Sequence, residues 1–336
     1  MTTPTDRDFM LQAMAAAAGV RHSTSPNPWV GAVVVADGSV VGTGATSPPG
    51  GPHAEVHALA DAGTSAQGAT LYVTLEPCDH QGRTGPCTEA ILGAGIARVV
   101  VGVADPDPEV GGRGLAHLSE GGVEVVEGIA AADVTEQLAA YLHQRRTGRP
   151  YVVLKLASTL DGRIAAPDGS SAWITGQEAR TDVHRLRAES DAVCVGAGTI
   201  RSDDPALTVR DWSPEQGGPA DDPRRIVLGP VSDDAGVQPA ESHEGPLEDL
   251  LYRLGGEGIL QLLVEGGADV AGRFHRAGLV DRYVVYVAPA LLGGDDGLPL
   301  LAGPGAPTMA DLRRGRFASV AALGDDLRLD LVLDGS

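Results

Sequence analysis

Apolar positions along the first half of the chain switch repeatedly between a helical and a strand period. Phe9, Met10, Ala13, Met14 and Ala17 recur three and four apart, with Gly19 beyond them, which predicts an amphipathic helix over residues 6–18. Residues 30–36 form a β-rich apolar run, Asp37-Gly38 has the composition of a hairpin turn, and Val40-Val41 leads back. Residues 53–62 read as a short helix closed by Gly63, and 71–75 as a strand. Pro86 suits the first turn of a helix that stops near Gly93 or Gly95. Residues 99–103 are another buried strand, and 114–120, 123–126 and 131–143 continue as helix, strand and helix. The pattern is that of an α/β sandwich of about five strands.

A polar break with Gly and Pro follows at 144–150 (QRRTGRP), and the domain boundary is set there: 1–146 and 147–336. A length of 336 residues suits two cores better than one. The second half restarts with a strand at 151–157. Thr175 and Glu178 have the spacing of a capping box opening a helix to about residue 188. Strands are expected at 192–195, 225–228, 259–264 and 282–287, and an antiparallel pair at 318–323 and 327–333. Residues 211–246, rich in Pro, Gly, Asp and Ser, read as loop.

A net charge of −20 argues against nucleic acid as the partner, because phosphate-backbone binding rests on clustered Lys and Arg. A small phosphorylated substrate, held by a few placed arginines, remains compatible. The sequence has no apolar run near the ~20 residues a membrane span needs. Its first eight residues are polar, which predicts a soluble, cytoplasmic protein with no signal peptide. Three cysteines, Cys78, Cys87 and Cys194, do not make a disulfide scaffold. Lys155 is the only lysine.

Two of those cysteines belong to a pattern. His53-Ala54-Glu55 is followed by Pro77-Cys78 and, after eight intervening residues, by Cys87. An imidazole and two thiolates are ligands that zinc prefers, and three rather than four leave a position for water. Zinc draws the pKa of such a water toward neutrality. In nucleobase deaminases a Glu beside the ligands moves protons without binding the metal, which is the role open to Glu55. Residues two apart do not share a helix face, so His53 and Glu55 reach one site only if the first turn is not yet regular. A closed structural zinc would need a fourth ligand, for which His57 and His80 are candidates.

The stretch Pro77-Cys78-Asp79-His80-Gln81-Gly82-Arg83-Thr84-Gly85-Pro86-Cys87 resembles the pyrimidine deaminase domain of the bifunctional riboflavin-biosynthesis deaminase–reductases. So do Ser25-Pro26-Asn27-Pro28-Trp29-Val30-Gly31 and Gly51-Pro52-His53-Ala54-Glu55-Val56-His57-Ala58. The resemblance implies a cytidine-deaminase-like α/β/α sandwich with zinc on His53, Cys78 and Cys87, and Glu55 as proton shuttle. It implies a diaminopyrimidinone substrate carrying a phosphoribosylamino group, met by Asn27, His80, Arg83, Thr84 and Asp105. Two positions depart from the family: Thr46 stands where a His is frequent, and Asp107 where an Asn is common. The alternative is a nucleoside or tRNA deaminase with an unrelated C-terminal domain.

The second half lacks a G-x-G-x-x-G turn, which speaks against a Rossmann site. Val195-Gly196-Ala197-Gly198-Thr199 and Leu263-Val264-Glu265-Gly266-Gly267 do follow strands, and the second leads into a helix expected over about 269–277. Tyr151 to Ala165, Trp173-Ile174-Thr175, Val195 to Arg210 and Leu263 to Gly267 resemble the reductase domain of the same family. That implies a dihydrofolate-reductase-like α/β domain using NADPH to reduce the opened ribose to a ribityl chain. Ala157, Trp173, Thr199, Asp203, Gly266 and Gly267 would line the NADPH site. Ser171, Arg187, Leu207, Arg210 and Glu265 would face the substrate, with Arg187 and Arg210 as phosphate clamps. Lys155 and Asp161 receive no chemical role. Segment 229–245 is shorter than the family leads one to expect, and a homodimer is expected on the resemblance alone.

Overall fold

A computed structural model describes residues 5–81, 85–107, 110–215 and 218–334. The chain divides into two compact units, Met1–Gly148 with Pro214–Pro219, and Arg149–Ser213 with Ala220–Ser336. No helix among the described residues is long and apolar enough to cross a membrane.

The first unit contains α1 (Asp6–Ala18), β1 (Gly31–Ala36), β2 (Ser39–Ala45), α2 (Ala54–Ala62), β3 (Thr70–Leu75), α3 (Cys87–Gly93), β4 (Arg98–Val103), α4 (Arg113–Glu120), β5 (Glu124–Glu127), α5 (Ala131–Gln137) and α6 (Ala139–Thr147). Its five strands lie in the order β2-β1-β3-β4-β5. Pairing is antiparallel from β2 through β3 and parallel from β3 to β5. The hairpin turns on Asp37 and Gly38, both at positive φ (50° and 75°), as the tight two-residue turn requires. Helix α1 opens with a capping box between Thr5 and Asp8 and buries Phe9, Met10, Ala13 and Ala17. Its Asp6 carboxylate accepts from Arg98 (3.0 and 2.8 Å) and from the Tyr72 hydroxyl (2.7 Å), which ties the helix to β3 and β4. Helix α2 lies directly against β2: a Cβ on Gly42 or Gly44 would come within 2.2 Å of an α2 carbonyl.

The helix expected over 131–143 is two helices. They meet at Leu138, which is fully buried and ends α5 as it begins α6. Helix α6 also runs through residues 144–147 of the expected break, because Tyr141, Leu142 and Gln144 are buried on it, and the chain turns at Gly148 (φ 71°).

The second unit contains β6 (Tyr151–Thr159), β7 (Arg163–Ala165), α7 (Gln177–Ala188), β8 (Ala192–Gly196), α8 (Ala197–Asp203), β9 (Arg224–Leu228), β10 (Glu241–His243), α9 (Leu247–Gly256), β11 (Gln261–Val264), α10 (Ala268–Ala277), β12 (Arg282–Ala288), β13 (Leu298–Pro299), β14 (Gly315–Leu323) and β15 (Asp326–Leu333). Its main sheet runs β10-β9-β8-β11-β6-β12-β15-β14, with β7 and β13 in a separate ribbon. The strands from β10 to β12 are parallel, and β15 and β14 close the sheet antiparallel. One face of β6 (Val152, Leu154, Leu156) packs in a core with Leu250 and Leu254 of α9 and Phe274 of α10. Lys155 and Ala157 alternate onto the other face.

The capping box expected from Thr175 and Glu178 does not form. Gly176 caps α7, and its N–H donates instead to Asp326 at 2.6 Å. The shortened 229–245 segment keeps a sheet edge, since β10 within it pairs with β9.

Candidate active sites

His53 is the N-cap of α2, with extended backbone (ψ 167°), so its side chain leaves before the helix begins. Glu55 is then the second helical residue, which resolves the two-residue spacing. Cys87 opens α3, and Cys78 lies in the turn after β3. The Nδ1 of His53 is 3.5 Å from the Cys78 sulfur and 3.3 Å from that of Cys87. All three donor atoms lie within 4.8 Å of one another. Hydrogen bonding to Cys87 holds the Cys78 thiol down at about 4 against the effect of burial. The same bond, together with burial, pushes Cys87 up, so the pair shares one negative charge. His53 is raised by its bond to Cys78. Glu55 is 3% exposed, and burial raises its carboxyl above the ordinary range. One imidazole, two sulfurs and an adjacent buried carboxyl fit a three-ligand zinc with an open position. No fourth donor joins the group among the described residues. His57 hydrogen-bonds Ser47 at 2.7 Å, and His80 is exposed.

Carboxylates on either side of Cys78 brace this cradle. Glu76, 4% exposed, accepts backbone N–H bonds from Asp105 (3.2 Å), Gly112 (3.0 Å) and Gly114 (3.2 Å). Asp79 accepts from the Thr88 hydroxyl and from His117, both at 2.5 Å. Sequence reasoning missed Glu76 and Asp79 as braces. Their only signal was an acid on each side of the Pro-Cys pair. Asp105 is buried and takes the Tyr141 hydroxyl (3.0 Å) and the Asp107 N–H (2.9 Å). Asn27 is half-buried, its N–H on the Thr24 carbonyl at 2.9 Å. Arg83 and Thr84 lie outside the described residues.

Of the expected residues, Thr199, Glu265, Gly266 and Gly267 lie just past the carboxyl ends of the parallel strands β8 and β11, where open α/β sheets bind ligands. The Gly267 N–H donates to the Thr199 hydroxyl at 3.1 Å and the Gly196 N–H to the Gly266 carbonyl at 3.2 Å, joining the turns after β8 and β11. Asp203 ends α8 and is exposed. Trp173 is 77% exposed, with the Arg180 guanidinium 4.9 Å from its ring centre, and Ser171 sits half-buried two residues before it. Arg187 and Glu265 form a bidentate pair (2.5 and 2.9 Å), both largely buried, and Arg187 also donates to the Thr208 carbonyl at 3.0 Å. The Arg187 guanidinium is therefore engaged inside the protein. Leu207 is 2% exposed and Arg210 is exposed. Lys155 was passed over at the sequence level. The register that pairs Leu154 with Val264 sets it beside Glu265, and burial lowers its ammonium. Its signal was its uniqueness.

A three-donor cradle with a buried carboxyl beside it defines a zinc-binding deaminase domain, joined in the same chain to an α/β domain of reductase type. Residues 3–103 match the cytidine and deoxycytidylate deaminase zinc-binding region, and residues 150–329 the RibD C-terminal domain. The riboflavin biosynthesis protein RibD of Escherichia coli (strain K12) is 41% identical, over 97% of this chain and 99% of its own. That of Mycobacterium tuberculosis is 43% identical over 93% of each. Form 1 of Acinetobacter baumannii RibD superposes with a TM-score of 0.91 at 39% identity, over 98% of this chain and 99% of that one. A Thermotoga maritima diaminohydroxyphosphoribosylaminopyrimidine deaminase/5-amino-6-(5-phosphoribosylamino)uracil reductase does so at 0.86 and 33%, with the same coverage. The chain belongs to the RibD family of riboflavin biosynthesis proteins, and is a zinc-binding deaminase and a reductase of the NADPH-using type in one polypeptide.

Proposed function

We propose that residues 1–146 deaminate the 2,5-diamino-6-(5-phosphoribosylamino)pyrimidin-4-one substrate, and that residues 147–336 reduce the ribosyl group of the product to ribityl. The observation that carries this reading is the His53, Cys78 and Cys87 cradle with Glu55 buried beside it. His53, Cys78 and Cys87 would hold zinc, which supplies Lewis-acid activation of a water when bound. Glu55 would take a proton from that water as its oxygen bonds to the ring carbon that carries the amino group. As the C–N bond breaks, one water proton ends on the adjacent ring nitrogen and the other on the departing amine, giving a carbonyl and ammonia. A carboxyl raised by burial suits both halves of that transfer near neutral pH. Asn27, His80, Arg83, Thr84 and Asp105 are assigned to the pyrimidine, ribose and phosphate, the Asp105 carboxylate keeping acceptor capacity beside its Tyr141 bond.

In the reductase, Ala157, Trp173, Thr199, Asp203, Gly266 and Gly267 would hold NADPH, which supplies a hydride for the opened sugar carbon. Ser171, Leu207 and Arg210 would orient the substrate, with Arg210 taking its phosphate. Arg187 and Glu265 would line the same pocket, Arg187 chiefly by fixing Glu265 and Thr208. We infer a cytoplasmic homodimer. Among the described residues strand β14 ends the sheet, paired only with β15, and exposes Phe317 (60%) and Val320 (58%), apolar surface that a second copy would cover.

Turnover of the diaminopyrimidinone ribosyl phosphate, with and without NADPH on zinc-assayed protein, tests the assignment. Deaminated product without NADPH, reduced once NADPH is added, is the expected result. Deamination with no NADPH consumption would remove the reductase half.

A further inference from the structure

We propose that His184 is a positioning residue of the reductase: its Nδ1 lone pair, aimed at the Arg210 N–H, sets the course of the Leu207–Arg210 segment that meets the phosphorylated substrate. This rests on the reading above, in which Leu207 and Arg210 face that substrate.

Helix α7 is a fixed platform. Its Asp182 accepts from the Tyr286 hydroxyl (2.6 Å) and Arg328 (2.7 Å), both on strands of the main sheet. His184 and Arg187, three apart, share another face of the helix. From that face Arg187 Nη1 reaches the Thr208 carbonyl at 3.0 Å. His184 Nδ1 lies 3.1 Å from the same carbonyl and 3.0 Å from the Arg210 N.

One ring nitrogen cannot both donate to a carbonyl and accept from an N–H. Arg187 already satisfies the carbonyl, and the Arg210 N–H can only donate. The consistent assignment is the neutral ring with its proton on Nε2 and the Nδ1 lone pair on Arg210. The surroundings agree: His184 is 7% exposed, and burial and the nearby Arg187 charge favour the uncharged ring.

The segment needs such a hold. Asp204, Leu207 and Asp211 all have positive φ (38°, 54° and 48°), a conformation non-glycine residues keep only where the surroundings impose it. Leu207 is sealed in the interior, and the Val209 N–H is tied to Asp222 at 2.7 Å. The side chain after these anchors is Arg210, whose backbone N–H has the His184 ring as its partner. A freed Arg210 backbone lets the guanidinium swing away from a bound phosphate.

The test is reductase kinetics on the zinc-loaded full-length chain, with the deaminated phosphoribosyl substrate and NADPH varied separately. His184→Leu is expected to raise the substrate KM roughly tenfold, the worth of one buried hydrogen bond plus lost orientation, with the NADPH KM nearly unchanged. His184→Asn, whose amide oxygen falls near the Nδ1 position, should restore most of the loss. His184→Gln, whose oxygen falls near Nε2, should not. If the Leu variant does not fold, the Asn and Gln pair decides alone. A substrate KM unaltered in Leu and Gln, or Asn failing as badly as Gln, would overturn the proposal. Arg210→Ala separates the two layers: an unchanged substrate KM there defeats the phosphate assignment itself, whereas a large rise there beside unaltered His184 variants defeats only the role of His184.

Discussion

The two sites of this chain are built by opposite methods. The deaminase cradle uses side-chain donors within residues 53–87, His53 and Cys87 at helix starts and Cys78 in the turn after β3. The reductase site takes contributions from β6, the loop after β7, α7, α8 and the turn after β11, and its joints are largely backbone N–H groups, carbonyls and one buried ion pair. A site of the first kind is defined by chemistry and should fail atom by atom. A site of the second kind is defined by packing and should fail through the fold that carries it.

The sharpest break of that contrast is Glu55→Gln. It removes a proton carrier and leaves the ligands in place. Deamination should fall about 10³-fold, within the usual worth of general acid–base catalysis, while zinc stays at one per chain by elemental analysis and reduction of pre-deaminated substrate continues. Zinc loss in the variant would mean that Glu55 belongs to the metal site and not to the proton path.

Glu265→Gln is the counterpart in the second unit. It leaves the largely buried Arg187 without its counter-charge, which costs about 3 kcal/mol. The urea midpoint of the second unit should drop while deaminase turnover persists. An unaltered midpoint with lost reduction would show that the pair acts chemically and not as packing.

How much was legible follows the same division. The zinc donors were legible because histidine and cysteine beside a Pro-Cys turn have few other uses, and the hairpin because Asp37-Gly38 suits one turn type. The reductase residues were located by resemblance. Nothing in residue type says that Thr199 accepts from Gly267, or that His184 faces Arg210 across the strained 204–211 segment. Helix α9 had a readable signal in Leu247, Leu250, Leu251 and Leu254, spaced as one helical face, yet the polar stretch before it concealed where the element began. Helix α8 had none, because Gly198 and Thr199 are poor helix formers and the tertiary contacts of β8 and β11 override them. The capping box failed for the converse reason: the motif was present, and Asp326, 150 residues away, took its place.

Two carboxylates, one in each unit, respond to acid in opposite ways. In the first, the Arg98 hydrogen bonds hold Asp6 at about 2, so its contribution is present above the unfolded pKa and is lost as pH falls from about 4 toward 2. In the second, Asp281 is half-buried just before β12 with the Val152 N–H at 2.7 Å, and loss of solvent raises it to about 6. The folded state then binds more protons than the unfolded one between about pH 4 and 6, so stability falls as pH rises through that window, by about 2 kcal/mol. Asp281→Asn should remove the slope, read from urea midpoints at half-unit intervals. Parallel profiles for the variant and the parent protein would show that the group titrates normally in the fold.

The smallest effect is expected at Thr46, where the resemblance to the family leads one to expect a histidine. A histidine there would be read as a substrate contact, but the threonine serves the fold. It is 4% exposed, its hydroxyl accepts the Val30 N–H at 3.1 Å, and its own N–H is on the Val30 carbonyl at 3.0 Å. Thr46→Val leaves the Val30 carbonyl on the Thr46 N–H and the Val30 N–H on the Pro28 carbonyl (3.1 Å), and removes only the hydroxyl's buried bonds, a loss of about 1 kcal/mol. Val30 closes the segment that carries Asn27, so the first unit should melt a few degrees lower while the pyrimidine KM rises no more than about twofold. A much larger rise in KM would mean that the Thr46 hydroxyl reaches the substrate.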